Sequence, residues 1–313
     1  MPELPEVETI KRGLERFLLN KKIVQVKIGT EKSFVGPKEL VEGQKIVGLR
    51  RRGKALLVDL SGGVTLMVHL RMTGQLIYRT VGAENGADIL AVAKRQQLGD
   101  EQSFAGGHPT DAFFTELPNK QTRVEIKLQD GTLFFNDQRK FGFIKVLETR
   151  EVEDEAFIKK LAPEPWQMKA EEFYQRLQRH KNALIKAVIL DQGVIAGLGN
   201  IYADEALFMA KIHPARRAGS LSKEEAKELL MAARRVMEKS IESGGSTMAT
   251  YVRADGTKGD YLEKFAQVFR REGQPCLVCG AEIEKLRVAG RGTHICPVCQ
   301  KTKVENEIKK AGK

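Results

Sequence analysis

Four cysteines near the C-terminus constrain the fold of this 313-residue chain more than any other feature of its sequence. They form two Cys-x-x-Cys pairs, Cys276 with Cys279 and Cys296 with Cys299, and sixteen residues separate the pairs. This spacing is typical of one structural Zn²⁺ held by four thiolates, which leave no open coordination position for chemistry. Two disulfides are the alternative, but nothing in the sequence indicates the secretory context that they require. Residues 287–293, between the pairs, are predicted to form a hairpin with a basic tip that can contact phosphate.

The N-terminus carries a second informative pattern, Met1-Pro2-Glu3-Leu4-Pro5-Glu6. Removal of Met1 would give Pro2 a free secondary amine, and because an α-amino pKa lies near ~8, a useful fraction is neutral at physiological pH. Such an amine can attack a carbonyl-like carbon to give an iminium ion, an electron sink that needs no proton. Apolar residues then follow at helical spacing: Val7, Ile10, Leu14 and Phe17. The pattern predicts either a nucleophilic amine in front of a helix or an ordinary helix start.

The composition favours a polyanionic partner. The formal net charge is +11 and the sequence pI is about 9.4, which suits nucleic acid or an anionic membrane surface. No apolar run approaches the ~20 residues that span a bilayer, and the acidic, amphipathic N-terminus is unlike a secretory signal. We therefore expect a cytoplasmic protein that is not inserted in a membrane, with a length that predicts two domains.

Two compositional regimes divide the chain. Short β-branched runs with glycine-bearing turns predict an antiparallel sandwich or barrel in the first regime. The runs are Ile23–Ile28, Ala55–Leu60, Val64–Leu70, Arg123–Leu128, Thr132–Phe135 and Phe143–Leu147. Residues 81–118 lack this pattern and are expected to be a surface insertion. Residues 148–168 are charged and predicted to be a linker, after which helical patterns begin, including a capping box at Ser222 and Glu225.

Three further segments offer contacts for nucleic acid. The turn Ala196-Gly197-Leu198-Gly199-Asn200 lacks the third glycine of a dinucleotide fingerprint, but with Lys186 nearby it suits a phosphate, or else it is a plain helix–helix connection. The segments 69–74 and 137–142 both lie at the ends of strands, near glycines, and place an apolar side chain beside an arginine. Met72 and Phe141 in these segments could equally be ordinary core residues.

Together these motifs resemble the bacterial formamidopyrimidine-DNA glycosylases. The resemblance rests on PELPEVET, RRGK, HLRMTG, NDQRKFG, LAPEPW, AGLGNIYADEALF, GGST with YVRADG, and the double CxxC ending in CQ. It implies a multidomain α+β fold, with an N-terminal antiparallel β-sandwich and a C-terminal helix–two-turn–helix domain carrying a β-hairpin zinc finger. The corresponding boundaries are 1–147 for the sandwich, 148–168 for the linker, 169–265 for the helical domain, 266–300 for the finger and 301–313 for a basic tail.

The resemblance also implies a function and residue roles. The protein would be a bifunctional glycosylase and abasic-site lyase in base-excision repair, removing 8-oxoguanine and formamidopyrimidines from double-stranded DNA. Pro2 would be the nucleophile, Glu3 the general acid/base and Glu6 its support, with Lys54 and Arg291 also in the catalytic set. The contacts with DNA would come from His69, Lys186, Asn200 and Arg291. The gap left by the extruded base would be filled by Met72, Arg139 and Phe141. The segment 244–261 would close over that base. The resemblance further implies a monomer associated with the bacterial nucleoid.

The chain departs from the family pattern at the insertion, at the long tail and at Ala55, where an aromatic residue is common. Three alternatives stay open on the sequence. An endonuclease VIII-like enzyme for oxidised pyrimidines would share the scaffold, although that subgroup usually has glycine where this chain has Leu4. A non-catalytic zinc-finger DNA-binding protein would not need Pro2, Glu3 or Lys54, and a ribosome-associated zinc-ribbon protein has no use for the N-terminal motif.

Overall fold

The computed structural model describes residues 2–81, 103–108, 116–245 and 261–301. The chain divides into two compact units, one of residues 1–159 with 241–260 and one of residues 160–240 with 261–313. The break after Lys159 falls inside the segment predicted to be a linker. Most of the predicted insertion, residues 246–260 of the predicted closing loop and residues 302–313 of the predicted tail lie outside the described residues.

The first unit combines one long helix with two β-sheets. Its described elements are α1 (Leu4–Leu18), β1 (Ile23–Ile28), β2 (Phe34–Val35), β3 (Ile46–Arg52), β4 (Ala55–Leu60), β5 (Val64–His69), β6 (Gly74–Thr80), β7 (Ser103–Gly107), β8 (Thr122–Leu128), β9 (Gly131–Asp137), β10 (Phe143–Glu148) and α2 (Ala156–Lys159). One sheet has the strand order β1-β8-β9-β6-β7 and the other β2-β10-β5-β4-β3. All pairings are antiparallel except the short one between β2 and β10. The predicted β-sandwich is confirmed.

Helix α1 forms because an apolar stripe at helical spacing is buried against the strands. Val7, Ile10, Leu14 and Phe17 all join the hydrophobic core that both sheets share. The helix contacts β3, β4, β6 and β7. Since burial contributes about 25 cal/mol per Å² of apolar surface, this stripe fixes the helix, and with it the N-terminus, on the sandwich.

The described part of the predicted insertion contributes to the sandwich. Ser103–Gly107 forms β7 and pairs with β6 at the edge of its sheet. Phe104 is buried in the shared core and packs near Phe17, with 6.4 Å between the ring centroids. The stretch 103–107 is therefore part of the sheet. The sequence did not predict this strand, because three of its five residues are alanine or glycine, whose small or absent side chains show no alternation of apolar and polar residues.

The second unit is helical and ends in a hairpin. Its described elements are α3 (Ala170–Arg179), α4 (Ile185–Leu190), α5 (Asn200–Met209), α6 (Lys223–Glu242), α7 (Tyr261–Lys264), β11 (Glu284–Val288) and β12 (Arg291–Ile295). The C-terminal end of α6 extends to the residues grouped with the first unit. The predicted capping box is present, since the Glu225 N–H donates to Ser222 Oγ at 3.1 Å and the Ser222 N–H donates to Glu225 Oε2 at 2.8 Å. Ala289 and Gly290 both have positive φ, as a two-residue type I′ turn between β11 and β12 requires.

Candidate active site and nucleic-acid interface

The first residues of the chain form a closed capping arrangement. Pro2 is buried, and Glu3 is the N-cap of α1 with only 2% of its surface exposed. The Glu3 N–H donates to Glu6 Oε2 at 2.8 Å, while the Glu3 side chain accepts a hydrogen bond from the Glu6 N–H. Glu6 therefore holds both the backbone and the carboxylate of Glu3 directly beside Pro2, at the positive end of the helix dipole.

The hairpin between β3 and β4 carries Lys54 in its turn. Gly53 has a φ of 54°, a left-handed conformation that suits glycine in this tight turn, and Lys54 is 6% exposed. Arg51 ties this turn to α1, because its Nε donates to Glu8 Oε2 at 3.0 Å and its Nη1 donates to the Gly53 carbonyl at 3.0 Å. Burial raises the pKa of Glu8, but hydrogen bonds from Arg51 and Arg12 outweigh it, so that the pKa is lowered and Glu8 stays ionised.

His69 lies in register with Ala55, next to the Lys54 turn. It is 4% exposed and packs between aromatic rings, with centroid distances of 5.9 Å to Phe143 and 4.9 Å to Phe157. Burial, with the nearby charges of Arg71 and Lys54, lowers the pKa of His69 to about 3. Its Nδ1 accepts a hydrogen bond from the Arg71 N–H at 3.0 Å, so the neutral ring carries its proton on Nε2. His69 can offer DNA a neutral N–H but not a positive charge.

The three residues predicted to fill the gap are on two exposed loops. Met72 lies between β5 and β6, and Arg139 and Phe141 lie between β9 and β10. Met72 is 40% exposed and Phe141 55% exposed, so neither is a core residue. The guanidinium carbon of Arg139 lies 5.0 Å from the centroid of the Phe141 ring. Hydrogen bonds through Asp137, which the sequence reasoning did not single out, join the two loops.

In the second unit, the predicted phosphate contacts separate into buried and exposed residues. Lys186 is fully buried and paired with Asp204, and its Nζ lies 3.4 Å from the Gly292 carbonyl. Asn200 donates from Nδ2 to the same carbonyl at 3.0 Å. The Lys186 amine thus contacts Asp204 and the hairpin backbone, whereas Arg291, beside Gly292, is exposed. Lys186 and Asn200 both contact the backbone of the hairpin that carries Arg291, and their contacts with phosphate stay a prediction.

Two adjacent acidic residues of α5 hold the finger segment, and the sequence reasoning assigned neither a role. Asp204 accepts hydrogen bonds from Lys186 and from the His294 N–H, the latter at 3.0 Å. Glu205 accepts the N–H groups of residues 267, 268 and 269 at 2.9, 3.0 and 2.8 Å. The sequence did offer a signal for these roles, because the acidic pair stands inside an otherwise apolar run. The helix formed by this run is buried on nearly every side, and buried carboxylates need hydrogen-bond partners.

The four cysteines come together as predicted. One sulfur atom from each of Cys276, Cys279, Cys296 and Cys299 lies within 4.8 Å of all the others, and two of the pairs are 3.4 and 3.9 Å apart. A tetrahedral site with Zn–S bonds of about 2.3 Å requires sulfur atoms roughly 3.8 Å apart, so the donor set fits one Zn²⁺. Backbone N–H groups of Val278 and Cys299 donate to the cysteine sulfurs, each at 3.4 Å. Four thiolates fill the coordination sphere, which makes the metal structural.

Gln300 anchors this metal site to the helical body. Its Oε1 accepts the Cys296 N–H at 3.0 Å and its Nε2 donates to the Ile212 carbonyl at 3.0 Å. The side chain is 1% exposed. Replacing it would leave buried polar groups unpaired, which explains why glutamine follows the last cysteine.

Three family models match successive parts of the chain. They are the formamidopyrimidine-DNA glycosylase N-terminal domain over residues 1–144, the formamidopyrimidine-DNA glycosylase H2TH domain over residues 161–252 and a zinc finger found in FPG and IleRS over residues 273–302. Among the described residues, no helix combines the length and the apolar character needed to cross a membrane.

Relatives match over the full length. A formamidopyrimidine-DNA glycosylase of Pelotomaculum thermopropionicum is 40% identical over 310 residues, which cover 97% of this chain and 100% of the relative. A structure of Lactococcus lactis Fpg with N7-benzyl-Fapy-dG DNA is similar with a TM-score of 0.79 at 32% identity, and one with DNA containing an oxidised pyrimidine has a TM-score of 0.78 at 33% identity. Both cover 96% of this chain and 100% of the matched chain. The chain belongs to the formamidopyrimidine-DNA glycosylase family.

Proposed function

We propose that this chain is a base-excision repair enzyme that removes oxidised purines, 8-oxoguanine and formamidopyrimidines, from damaged double-stranded DNA and then cleaves the strand. The observation that carries the proposal is the N-terminal arrangement: Pro2 is buried beside Glu3, whose position Glu6 fixes at the N-terminus of α1. The Glu3 carboxylate caps α1, and once Met1 is removed it also lies beside the free secondary amine of Pro2, where the proposed reaction needs an acid/base group. Family membership supports the same conclusion.

The proposed reaction begins with the Pro2 amine. Its nitrogen forms a bond to C1′ of the damaged nucleotide while the bond from C1′ to the base breaks, and the proton that the nitrogen loses goes to the leaving base. Glu3 donates a proton to the sugar ring oxygen, which opens the ring and leaves an iminium ion on Pro2. The helix dipole disfavours protonation of the amine beforehand.

The iminium ion then permits strand cleavage. Loss of a proton from C2′ expels the 3′ phosphate by β-elimination, and a second proton loss expels the 5′ phosphate by δ-elimination. Hydrolysis of the iminium ion releases the sugar fragment and restores the amine. The result is a one-nucleotide gap bounded by phosphates, formed without a redox cofactor.

The DNA contacts are assigned from exposure where the side chain is exposed, and otherwise from family membership. A base inside a duplex cannot be reached, so the damaged nucleotide must be extruded. The exposed Met72 and Phe141 suit the role of apolar wedges that fill the gap, and Arg139 suits recognition of the base left without its partner. Arg291 is exposed and suits a phosphate contact, whereas Lys54 and His69 are 6% and 4% exposed, so their proposed contacts with DNA rest on family membership.

We assign the structural metal to Zn²⁺, which holds the β11–β12 hairpin in place so that Arg291 can reach DNA. The protein would act as a monomer in the bacterial cytoplasm, in association with the nucleoid. The net charge of +11 supports this association with DNA.

A second substrate class has specific support. The similar Lactococcus lactis protein was crystallised with DNA containing an oxidised pyrimidine. Activity on oxidised pyrimidines is therefore the second candidate, as a secondary activity on the same site.

One assay separates these candidates. The protein is incubated with duplexes that carry 8-oxoguanine, an oxidised pyrimidine or no lesion, and strand products are resolved by electrophoresis. We expect fastest cleavage at 8-oxoguanine, slower cleavage at the pyrimidine and none in the undamaged duplex. Binding without cleavage of any duplex would contradict an enzymatic function.

A further inference from the structure

A single buried carboxylate joins the two exposed loops that carry Met72, Arg139 and Phe141. We propose that Asp137 is a positioning residue that holds these loops as one unit and thereby sets the guanidinium of Arg139 for reading the base opposite the lesion. This inference rests on the proposed function of those three side chains. Asp137 itself is fully buried.

One carboxylate oxygen connects the two loops to each other. The Thr73 hydroxyl, on the loop after β5, donates to Asp137 Oδ1. The Arg139 N–H, on the loop after β9, lies 3.1 Å from the same oxygen and 3.1 Å from Thr73 Oγ1. Thr73, Asp137 and the Arg139 backbone thus form a closed set, so a shift of either loop breaks at least one of these bonds.

The second oxygen shapes the loop that carries Phe141. Asp137 Oδ2 accepts the N–H groups of Phe141 and Gly142, each at 2.7 Å. Lys140, within this loop, has a φ of 58°, a left-handed conformation that a residue with a side chain adopts only when its surroundings impose it. The two bonds from Asp137 that follow Lys140 supply that constraint.

The chemistry of the contacts requires a carboxylate rather than an amide. Each of the hydrogen bonds to the Asp137 side chain comes from a donor, and a carboxylate only accepts. Asparagine would place an NH₂ group against either the Phe141 and Gly142 N–H groups or the Thr73 hydroxyl and Arg139 N–H. Arg123 lies close, with its Nε donating to the Asp137 carbonyl at 2.7 Å, and offsets part of the buried negative charge.

The strand register explains why one residue can control both loops. The loop from β5 to β6 and the loop from β9 to β10 both cross from one sheet of the sandwich to the other. Gly74 pairs with Asp137 between β6 and β9, and His69 pairs with Phe143 between β5 and β10. The two crossings therefore lie side by side at the same end of the sandwich, with Asp137 between them.

The test measures base discrimination rather than stability. Single-turnover excision of 8-oxoguanine is measured opposite cytosine and opposite adenine for wild type, Asp137→Asn, Thr73→Val and Arg139→Ala. Asp59→Asn is the matched control, because Asp59 also accepts a hydrogen bond from a threonine hydroxyl, with 2.7 Å between Thr65 Oγ1 and Asp59 Oδ1. This pair lies at the opposite end of β4 and β5 from His69, away from the two loops.

We expect Arg139→Ala to lower the cytosine-to-adenine rate ratio by roughly 5- to 150-fold, the range for loss of a bidentate contact. Asp137→Asn should produce at least half of that change on a logarithmic scale, and Thr73→Val a smaller change in the same direction. Asp59→Asn should leave the ratio unchanged even if its melting temperature falls. Binding of a duplex with 2-aminopurine opposite the lesion should also give a weaker fluorescence rise with Asp137→Asn, since the wedge is misplaced.

The possible outcomes distinguish the positioning role of Asp137 from the proposed role of Arg139 in reading the base opposite the lesion. An unchanged ratio in Arg139→Ala would contradict the reading role itself. A flattened ratio in Arg139→Ala together with a wild-type ratio in Asp137→Asn would overturn only the positioning role of Asp137. If Asp137→Asn does not fold, Thr73→Val becomes the deciding variant, because it removes the shared hydroxyl with little change in side-chain shape. A wild-type cytosine-to-adenine rate ratio in Thr73→Val would then overturn the inference.

Discussion

The two loops of the sandwich, between β5 and β6 and between β9 and β10, and the β11–β12 hairpin are held in place by different interactions. Both must hold an exposed arginine, Arg139 in one and Arg291 in the other. In the loops, the Asp137 carboxylate binds backbone N–H groups and a hydroxyl. At the hairpin, a buried ion pair of Lys186 and Asp204, together with the four-cysteine site, holds the backbone. A charged residue in a binding motif can therefore be there to position its neighbour rather than to contact the ligand.

The largest expected effect is removal of the metal ligands from the finger. Structural Zn²⁺ contributes about 10–16 kcal/mol in small zinc-finger peptides, so Cys296→Ser should unfold the hairpin and greatly weaken DNA binding. Zinc content by atomic absorption and affinity for an abasic-analogue duplex check this together. Normal DNA binding by the zinc-depleted protein would show that the hairpin does not carry an essential contact.

Breaking the buried ion pair should have the next largest effect. Lys186→Met leaves Asp204 buried without its cation, and loss of one partner of a buried pair costs about 3–5 kcal/mol of unfolding free energy. The double variant Lys186→Met with Asp204→Leu should recover part of this loss, which denaturant unfolding can measure. A stable Lys186→Met protein with a specific phosphate-binding defect would instead favour direct contact with DNA.

The two exposed arginines should differ in what they control. Arg139→Ala should remove roughly 1–3 kcal/mol of preference for cytosine over adenine opposite the lesion. On its pairing edge cytosine offers two acceptors to a guanidinium, whereas adenine offers one acceptor and one donor there. Arg291→Ala should weaken binding to both duplexes equally and reduce the salt slope by about 1. Salt titrations of affinity on the two duplexes provide the measurement, and equal behaviour of the two variants would contradict the division of roles.

The effect that is smallest at neutral pH, and grows only on acidification, is the pH dependence contributed by His69. Its pKa is about 3 in the folded protein, below the ordinary value near ~6.5 that it regains on unfolding. Between these values the unfolded state binds the extra proton, so this contribution to stability is complete above about pH 6.5 and is lost as the pH falls toward 3. The slope is at most about 1.4 kcal/mol per pH unit for one group.

Denaturant unfolding of wild type and His69→Gln across this range isolates the His69 contribution. We expect the variant to show a shallower loss of stability on acidification than wild type. Identical slopes in the two proteins would mean that His69 titrates normally and is not sequestered.

Local patterns in the sequence predicted most of the fold. The spacing of Val7, Ile10, Leu14 and Phe17 is enough to predict α1, because a helical stripe is visible within a few turns. The β-branched runs likewise match strands closely; Ile23–Ile28 and Ala55–Leu60 agree at both ends. Strands β2, β6 and β7 were not among the predicted runs, and for β7 the signal depends on pairing with β6 rather than on its own residues.

The site was less accessible to sequence reasoning, for a physical reason. Whether a lysine is exposed depends on partners distant in the chain, and the partner of Lys186 is eighteen positions away in another helix. The roles of Asp137 and Glu205 depend on several backbone N–H groups converging on one carboxylate, which only the tertiary structure shows. The metal site was predictable from the double CxxC, because tetrahedral coordination by four thiolates requires a characteristic spacing of cysteines along the sequence.

The central claim is that the amine of Pro2 is the nucleophile, and borohydride trapping tests it most directly. The protein with its N-terminal proline free is incubated with 8-oxoguanine duplex and sodium borohydride, beside a form that keeps one extra residue before Pro2 and beside Lys54→Ala. The account predicts a covalent adduct that peptide mapping places on residue 2, its loss in the extended form and its retention, at a lower rate, in Lys54→Ala. An adduct on Lys54, or undiminished trapping by the extended form, would contradict it.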